Sequence, residues 1–458
     1  MPTPTVPTKA RAWPTLLIIN GRKVPARSSR YFSATTYYQL SRFRILYYPF
    51  ENTRTISNWL TGFLCASVLL GTLSCGSHAA LQPANSHSLA APAQGGARLP
   101  VASLSNGMWL KGDLHVHSRH SKESSNNPVR KIIAFSRSVG MDYVCITDHD
   151  NHVNGDVAHH TWADPEFTSD SLLLLYGAEW TTTRGHGNVF AAKPYDHQRL
   201  YDVRDQRDVA IGAVKKDLGI HLSANHPSGK DHFGYSYDLL ESLEVWNSVL
   251  WTKNENAIMI WDDMLSSGRK LTGRGGSDAH HGVPDTPAET TANSKQATAN
   301  YVGTPTTWVF ATTRTPQAVV DALTNGRVSI SSNPFAPRVE FYADLDRDGT
   351  MDLMMGDNTP ATGQPVAFRV QLAGTTVPTG EYTIRVVKNG APFGTYPVRG
   401  QTPIVEFTDT PATTGRTYYR VVVEGPPTAY PQVPQAMALN GNMVGLSNPI
   451  YFNFDPNF

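Results

Sequence analysis

A chain of 458 residues is too long for one small module, and at about 150 residues per domain it predicts two or three domains. Hydrophobic residues make up 40% and charged residues 17%, which excludes a solvated acidic chain and a coiled coil. The formal charge of +1 hides an asymmetry: residues 1–58 hold nine Lys or Arg against one acid, Glu51, and the rest has 30 basic and 37 acidic residues, a net of −7, so no stable nucleic-acid partner is expected.

Residues 1–58 read either as a disordered basic extension or as an overcalled start, although no second Met occurs before Met108. From Trp59 to Ala80 runs an uncharged apolar stretch followed by small residues, which has the pattern of a secretory leader. Thr72-Leu-Ser-Cys75 is a loose lipobox that makes Cys75 a candidate lipidated N-terminus. Ser77-His78-Ala79 fits ordinary cleavage, and an uncleaved anchor is the third reading. Each predicts export to a bacterial-type cell envelope, periplasmic or lipid-anchored, or to the extracellular space, with membrane contact only through the leader or a lipid. Cys65 and Cys75 lie in this leader, so Cys145 stands alone in the body and no internal disulfide is expected. Residues 81–106 are rich in Ala, Pro, Ser and Gly without periodicity, as a linker is.

Over 107–335, β-like runs at 109–117, 141–149, 171–180, 219–226, 242–247 and 270–278 alternate with helical spacing at 129–139 and 254–268, the latter closed by Gly268. Such alternation predicts an α/β domain on a parallel sheet, either doubly wound or closed into a barrel. Past residue 336, segments such as PVAFRVQLAG, EYTIRVVKNG, PIVEFTD and TYYRVVVEG alternate apolar and polar residues between Gly, Pro and Thr clusters, which predicts an all-β sandwich over 336–458.

The strand-like runs of the α/β region close on histidine or carboxylate. His115 and His117 are two residues apart and share one face of a strand, so both reach one ion. His149 ends Thr-Asp-His, Glu179 ends the third run, His186 follows in Gly-His-Gly-Asn, His226 ends Asn-His-Pro, and Asp278 and His280 end Gly-Ser-Asp-Ala-His. In a parallel α/β barrel all these strand ends converge at one mouth. Six imidazoles and two carboxylates gathered there are costly unless they hold divalent cations, and their chemistry suits Zn, Mn or Fe. Eight donors exceed one tetrahedral site and predict two or three ions bridged by Glu179 or Asp278.

This ordered set resembles the PHP (polymerase and histidinol phosphatase) superfamily of metallohydrolases. GAEWTTTRGHGN, ESLEVWN and the following β region look like its carbaryl-hydrolase-type (CehA/McbA-like) branch. The resemblance implies a distorted (β/α)7 barrel over 107–335 followed by the sandwich. It also implies metal ligation by His115, His117, His149, Glu179, His186, His226, Asp278 and His280. One departure is that many relatives carry an Asp five residues after the HxH pair, where this chain has Lys122, with His120 and Glu123 nearby, so two ions are expected before three.

Clustered cations make a nucleophile of water near neutral pH, so hydrolysis is the expected chemistry. His280 or His281 is placed to protonate the leaving oxygen, and Arg184 and Arg274 either clamp an anionic substrate or pair with ligand carboxylates. Asp148 and Asp150 are read as orienting His149, Trp246 as pocket wall or core, and His159 and His160 as solvated loop residues. The expected substrate is a small phosphoester, with a carboxylic or carbamate ester as alternative. A non-catalytic surface protein holding structural metal is the rival of another class. Asp344, Asp346, Asp348 and Asp352 surround Gly349 with calcium-loop spacing, without the Glu or flanking helices of an EF-hand, and a polar hairpin turn is the simpler reading.

Overall fold

The computed structural model describes the backbone of residues 18–19 and 22–23, and residues 106–455 except 123, 125, 158–160, 228–231, 249–250, 284, 286–300, 375–380, 400–403 and 432–441. The leader, the linker up to residue 105, Glu123, His159 and His160 lie outside the described residues. The chain divides into units at 1–82 and 83–458. In the first, β1 (Ile18–Ile19) and β2 (Arg22–Lys23) form a short antiparallel pair.

The second unit begins with the strands that the alternating pattern predicts: β3 (Met108–Val116), β4 (Tyr143–Ile146) and β5 (Leu173–Thr182). Then come β6 (Gly185–Ala191), β7 (His221–Ala224), β8 (Ser242–Asn247) and β9 (Thr272–Gly276). Between them, α1 (Val129–Ser138) buries Val129, Ile132, Ile133 and Ser136, one stripe at helical spacing. The short α2 (His197–Asp202) leads to α3 (Asp208–Leu218), which stops at Gly219 in the left-handed conformation, and α4 (Glu255–Ser266) buries Ala257, Trp261 and Leu265.

β3, β4 and β5 are parallel neighbours, as are β7, β8 and β9. β6 departs from the all-parallel expectation: it folds back on β5 through a tight turn and runs antiparallel to both β5 and β7. The reversal restores direction at β7, so the six parallel strands still aim their carboxyl ends one way. β9 and β3 share no continuous ladder. They meet through one bridge, Val116 with Ala279, flanked by Asp278 N–H to His115 O at 2.8 Å and His117 N–H to Ala279 O at 2.9 Å. The expected closed barrel is therefore an open sheet drawn together at one end.

On its other edge β3 pairs with β10 (Thr306–Ala311), and β10 with β11 (Val328–Ser331). α5 (Pro316–Thr324) joins these two, with Pro at its first position and the Thr315 hydroxyl accepting from Ala318 N–H at 3.3 Å. The chain continues as β12 (Arg338–Asp344), β13 (Leu353–Met354), β14 (Asn358–Thr359), β15 (Val366–Ala373) and β16 (Glu381–Lys388). β17 (Ala391–Arg399), β18 (Ile404–Asp409), β19 (Thr417–Glu424), β20 (Met443–Ser447) and β21 (Ile450–Phe452) complete it.

β12, β13, β15 and β18 form a four-stranded sheet. Its inner residues Val339, Phe341, Phe368 and Phe407 share one apolar cluster with Ile384, Val386, Val421 and Val444 from β16, β19 and β20. The large sheet does not end at residue 335, because β11 pairs with β20. Asn448 ties the same junction: its amide donates to Gly273 O at 2.7 Å and Val328 O at 2.9 Å, and its carbonyl accepts from Gly273 N–H at 2.8 Å. Among the described residues no helix is long and apolar enough to cross a membrane.

Candidate metal centre

Each predicted ligand arrives from a strand end. His115 sits at the end of β3 with His117 just beyond it, and His149 follows β4. Glu179 projects from β5, His186 lies opposite Thr181 on the β5–β6 hairpin, and His226 follows β7. Asp278 and His280 follow β9. His226 and Asp278 hold left-handed backbone, with φ of 26° and 55°. Such a conformation costs about 1–3 kcal/mol in a non-glycine residue, and here it falls on two residues that turn from a strand end toward the cluster.

The structure brings all eight together around Glu179. Its Oε2 lies 3.5 Å from His115 Nε2, 3.4 Å from His117 Nε2 and 2.8 Å from His149 Nδ1. Its Oε1 lies 3.1 Å from His186 Nδ1 and 3.3 Å from His226 Nε2. Asp278 Oδ1 lies 3.4 Å from His115 Nε2, 3.2 Å from His117 Nε2 and 3.4 Å from His280 Nδ1. The ring of His280 stacks on that of His117 at 4.0 Å.

Two observations fit these donors to cations. His115 Nε2, His117 Nε2 and Glu179 Oε2 are buried and make no hydrogen bond, although they converge on one point. Orphaned polar atoms are costly in a protein interior. Moreover, four separations between the two imidazoles and the two carboxylates fall at 3.2–3.5 Å. Ligand bonds of about 2.0–2.1 Å to a tetrahedral zinc-like ion require donor atoms roughly 3.3–3.4 Å apart. Further groups of close donors are His149, Glu179 and His186, and His117, His149 and His280.

Electrostatics agree. Burial would raise the Glu179 and Asp278 pKa values, but the surrounding imidazoles outweigh it and hold both carboxylates well below their usual range. Burial would lower the His115 pKa, yet Glu244, Asp278 and Glu179 raise it to about 10. Burial and the neighbouring His280 push His117 down. At neutral pH the ion-free site therefore carries a proton on His115 that an entering cation displaces. Apparent metal affinity is expected to rise between about pH 6 and pH 9, with proton release measurable by titration calorimetry in buffers of different ionisation enthalpy. Affinity that is flat with pH contradicts this.

The supporting residues differ in part from expectation. Asp148 reaches the His149 backbone through Ser121, whose Oγ accepts from His149 N–H at 3.1 Å. Asp148 accepts from Ser118 N–H and Oγ at 2.7 Å each, Ser121 Oγ at 2.8 Å and Thr161 Oγ at 2.7 Å, fixing the loop after His117. Asp150 accepts from Thr181 N–H at 2.9 Å, and the Thr181 hydroxyl meets His149 Nδ1 at 2.7 Å, so Asp150 orients His149 through Thr181.

Arg274 is fully buried, with its nitrogens on Ser223, Glu244 and Asn225, so it pairs inside rather than facing a substrate. Arg184 is spent on Gly234 O at 3.0 Å, Gln206 O at 3.2 Å and Asp208 at 2.9 Å, and stacks on Tyr235. His281 is half-buried beside His280, and burial with that neighbour lowers its pKa. His120 bonds Asp164 at 2.8 Å, and the Lys122 N–H donates to His152 Nδ1 at 3.3 Å. Trp246 is core, its indole donating to Ser248 O at 3.1 Å.

Sequence reading missed Glu244, Asn225 and Asn188. Glu244 is fully buried on β8 and meets His115 Nδ1 at 2.9 Å. Asn225 donates to Glu179 Oε1 at 2.9 Å and to Asn188 Oδ1 at 2.8 Å. A carboxylate inside the apolar run SLEVWN, and the Asn directly before His226, were the available signals. In the β12–β13 connection Asp344 accepts from Arg347 N–H at 2.7 Å and Gly349 N–H at 2.9 Å, and Asp344, Asp346 and Asp348 each bring an oxygen close to the others, so this turn fits the polar hairpin and the cation loop alike.

The PHP domain family model matches residues 113–209, the stretch that carries His115, His117, His149, Glu179 and His186. The match supports the PHP superfamily, whose members are generally hydrolases that bind divalent metals. No curated protein and no solved structure matched the chain.

Proposed function

We propose that the chain is an exported PHP-type hydrolase that works on a small phosphoester with two, or at most three, divalent cations. The reading also takes the β-rich half as a sandwich. One observation carries it: unbonded His115 Nε2, His117 Nε2 and Glu179 Oε2 face one another at the spacing of metal ligands deep in a carboxylate-lined site. His115, His117, Glu179 and Asp278 would hold one ion. His149, His186, His226 and His280 would complete the second and share Glu179.

When bound, the ions supply Lewis acidity and lower the pKa of water. The protein's own residues arrange the rest. His186, His226 and His280, with side chains 20–27% exposed, form the open side at which a substrate enters. His115 and His117 close the inner side to solvent. His281, neutral at pH 7 because its pKa is lowered, accepts a proton there more readily than it donates one. Lys122 stands where many relatives keep the third-ion Asp, which supports two ions over three.

A second reading, carboxylic or carbamate ester hydrolysis of the CehA/McbA-like type, is favoured by one observation. Both arginines read as phosphate clamps, Arg184 and Arg274, are committed to protein partners. Protein reconstituted separately with Zn, Mn and Fe and assayed on nitrophenyl phosphate, bis-nitrophenyl phosphate and naphthyl ester and carbamate panels separates the two. Turnover of phosphoesters is the expected result. Activity confined to carbon esters moves the assignment to the second reading, and no turnover by fully loaded protein favours structural metal.

A further inference from the structure

Resting on the metal-centre reading above, we propose that the buried pair Glu244–Arg274 is a positioning device. It holds three ligands at once, fixes His115 with its proton on Nδ1 and its Nε2 toward the ion, and is not itself a ligand.

The hydrogen-bond count decides between positioning and ligation. Glu244 Oε1 faces His115 Nδ1 at 2.9 Å and accepts from Arg274 Nη1 at 2.9 Å. Its Oε2 accepts from His226 N–H at 2.9 Å and from the Asn247 amide at 3.1 Å. An ionised carboxylate offers about four lone-pair sites, and four donors occupy them. Glu244 thus has no acceptor capacity left for a cation, although its oxygens lie in reach of the His115 and His226 nitrogens. Because an ionised carboxylate only accepts, the His115 proton belongs on Nδ1. Once the extra proton of the ion-free site has left, Nε2, which makes no hydrogen bond, is the lone pair facing Glu179 and Asp278.

Arg274 extends the same network. Its Nε donates to Ser223 Oγ at 2.6 Å and its Nη2 to the Asn225 carbonyl, while the Asn225 amide donates to Glu179 Oε1 at 2.9 Å. One oxygen of Glu179 is thereby occupied and Oε2 is left unbonded. The pair touches His115 and His226 directly and Glu179 through Asn225. Its packing leaves no slack: a Cβ on Gly276 would lie 2.3 Å from Glu244 Oε1 and 2.5 Å from His115 Cβ. Both side chains are fully buried, where an ion pair is weak support for stability, and positioning is a use for it that these contacts display.

The test uses the full chain loaded with Zn, and with Co as a spectroscopic probe. In Glu244→Gln, one end of the side chain becomes a donor facing other donors. Zn affinity by chelator competition is expected to fall about 10–100-fold, and the visible Co bands to shift, with the number of ions at saturation unchanged. Glu244→Asp, which keeps the acceptors, is expected to recover part of that loss. An affinity within twofold of wild type with unshifted Co bands overturns the proposal, as does the loss of one ion at saturation, which makes Glu244 a ligand. If Glu244→Gln does not fold, nitrogen-15 histidine spectra of the wild-type Zn protein decide alone: His115 must carry its proton on Nδ1, and metal on Nδ1 overturns the proposal. Wild-type protein that takes up no metal at all defeats the parent reading instead, and is recognised before any variant is made.

Discussion

Replacing Glu179 with Gln is expected to cut hydrolysis about a thousandfold or more, the equivalent of some 4 kcal/mol of transition-state stabilisation. The side chain keeps its volume and burial, so the fold should survive. What goes is the one charge that faces His115, His117 and His149 on one oxygen and His186 and His226 on the other. Asn225 would still pair with the carbonyl end of the Gln, leaving the new amide pointing at three imidazole nitrogens that need an acceptor or a cation. Element analysis should therefore show at least one ion fewer per chain, and circular dichroism an unchanged fold. A variant that holds its full metal complement and turns over at near wild-type rate would remove Glu179 from the centre.

Cutting the chain after residue 335 is expected to leave residues 107–335 unable to fold. Its last strand, β11, would lose β20, exposing the backbone of Val328–Ser331 as a free edge. Loss of Asn448 would strip partners from Gly273 N–H, Gly273 O and Val328 O, all buried. Each hydrogen bond exchanged for water costs about 0.5–1.5 kcal/mol, and removal of Tyr418, Leu446 and Tyr451 uncovers the apolar core they share with Val309 and Val328, losses that together consume a large part of the roughly 5–15 kcal/mol by which a protein is stable. Asp262 on α4 would also lose the two-pronged contact from Arg420, at 2.9 and 2.6 Å. Soluble yield and a thermal melt, compared with the full chain, check this. A cooperative melt from 107–335 alone would show an independent domain.

The cluster of candidate donors was legible in the sequence because strand geometry has period two. His115 with His117 and Asp278 with His280 could be paired from spacing alone, and strand ends in an α/β sheet gather on one side. The β6 reversal was hidden because Gly185-His186-Gly187 reads as a loop, and pairing with β5 and β7 makes it a strand. Glu244 was hidden for the opposite reason: one acid in SLEVWN looks like the solvent face of a strand, and its partners Arg274 and His115 lie 30 and 129 positions away. Arg184 and Arg274 were read by nearness to ligands in the chain, which says nothing about facing. Arg274 lies within β9, fully buried among Ser223, Glu244 and Asn225, whereas Asp278 lies past the end of that strand. The C-terminal strands followed from alternation, whereas the run of the sheet from β11 into β20 depends on a pairing across more than a hundred residues that local patterns do not encode.

The β5–β6 hairpin has one more implication. His186 and Glu179 share a face only because Thr181 lies opposite His186 and Glu179 opposite Asn188. A slip of one residue would bring Gly185 or Gly187 to that place, and neither has a side chain to offer. The sixth imidazole is thus digital: present in register, wholly missing out of it, with no intermediate strength. Any transplant or redesign of this hairpin must conserve parity, since an odd shift erases a donor whereas changes confined to the exterior face leave the count intact.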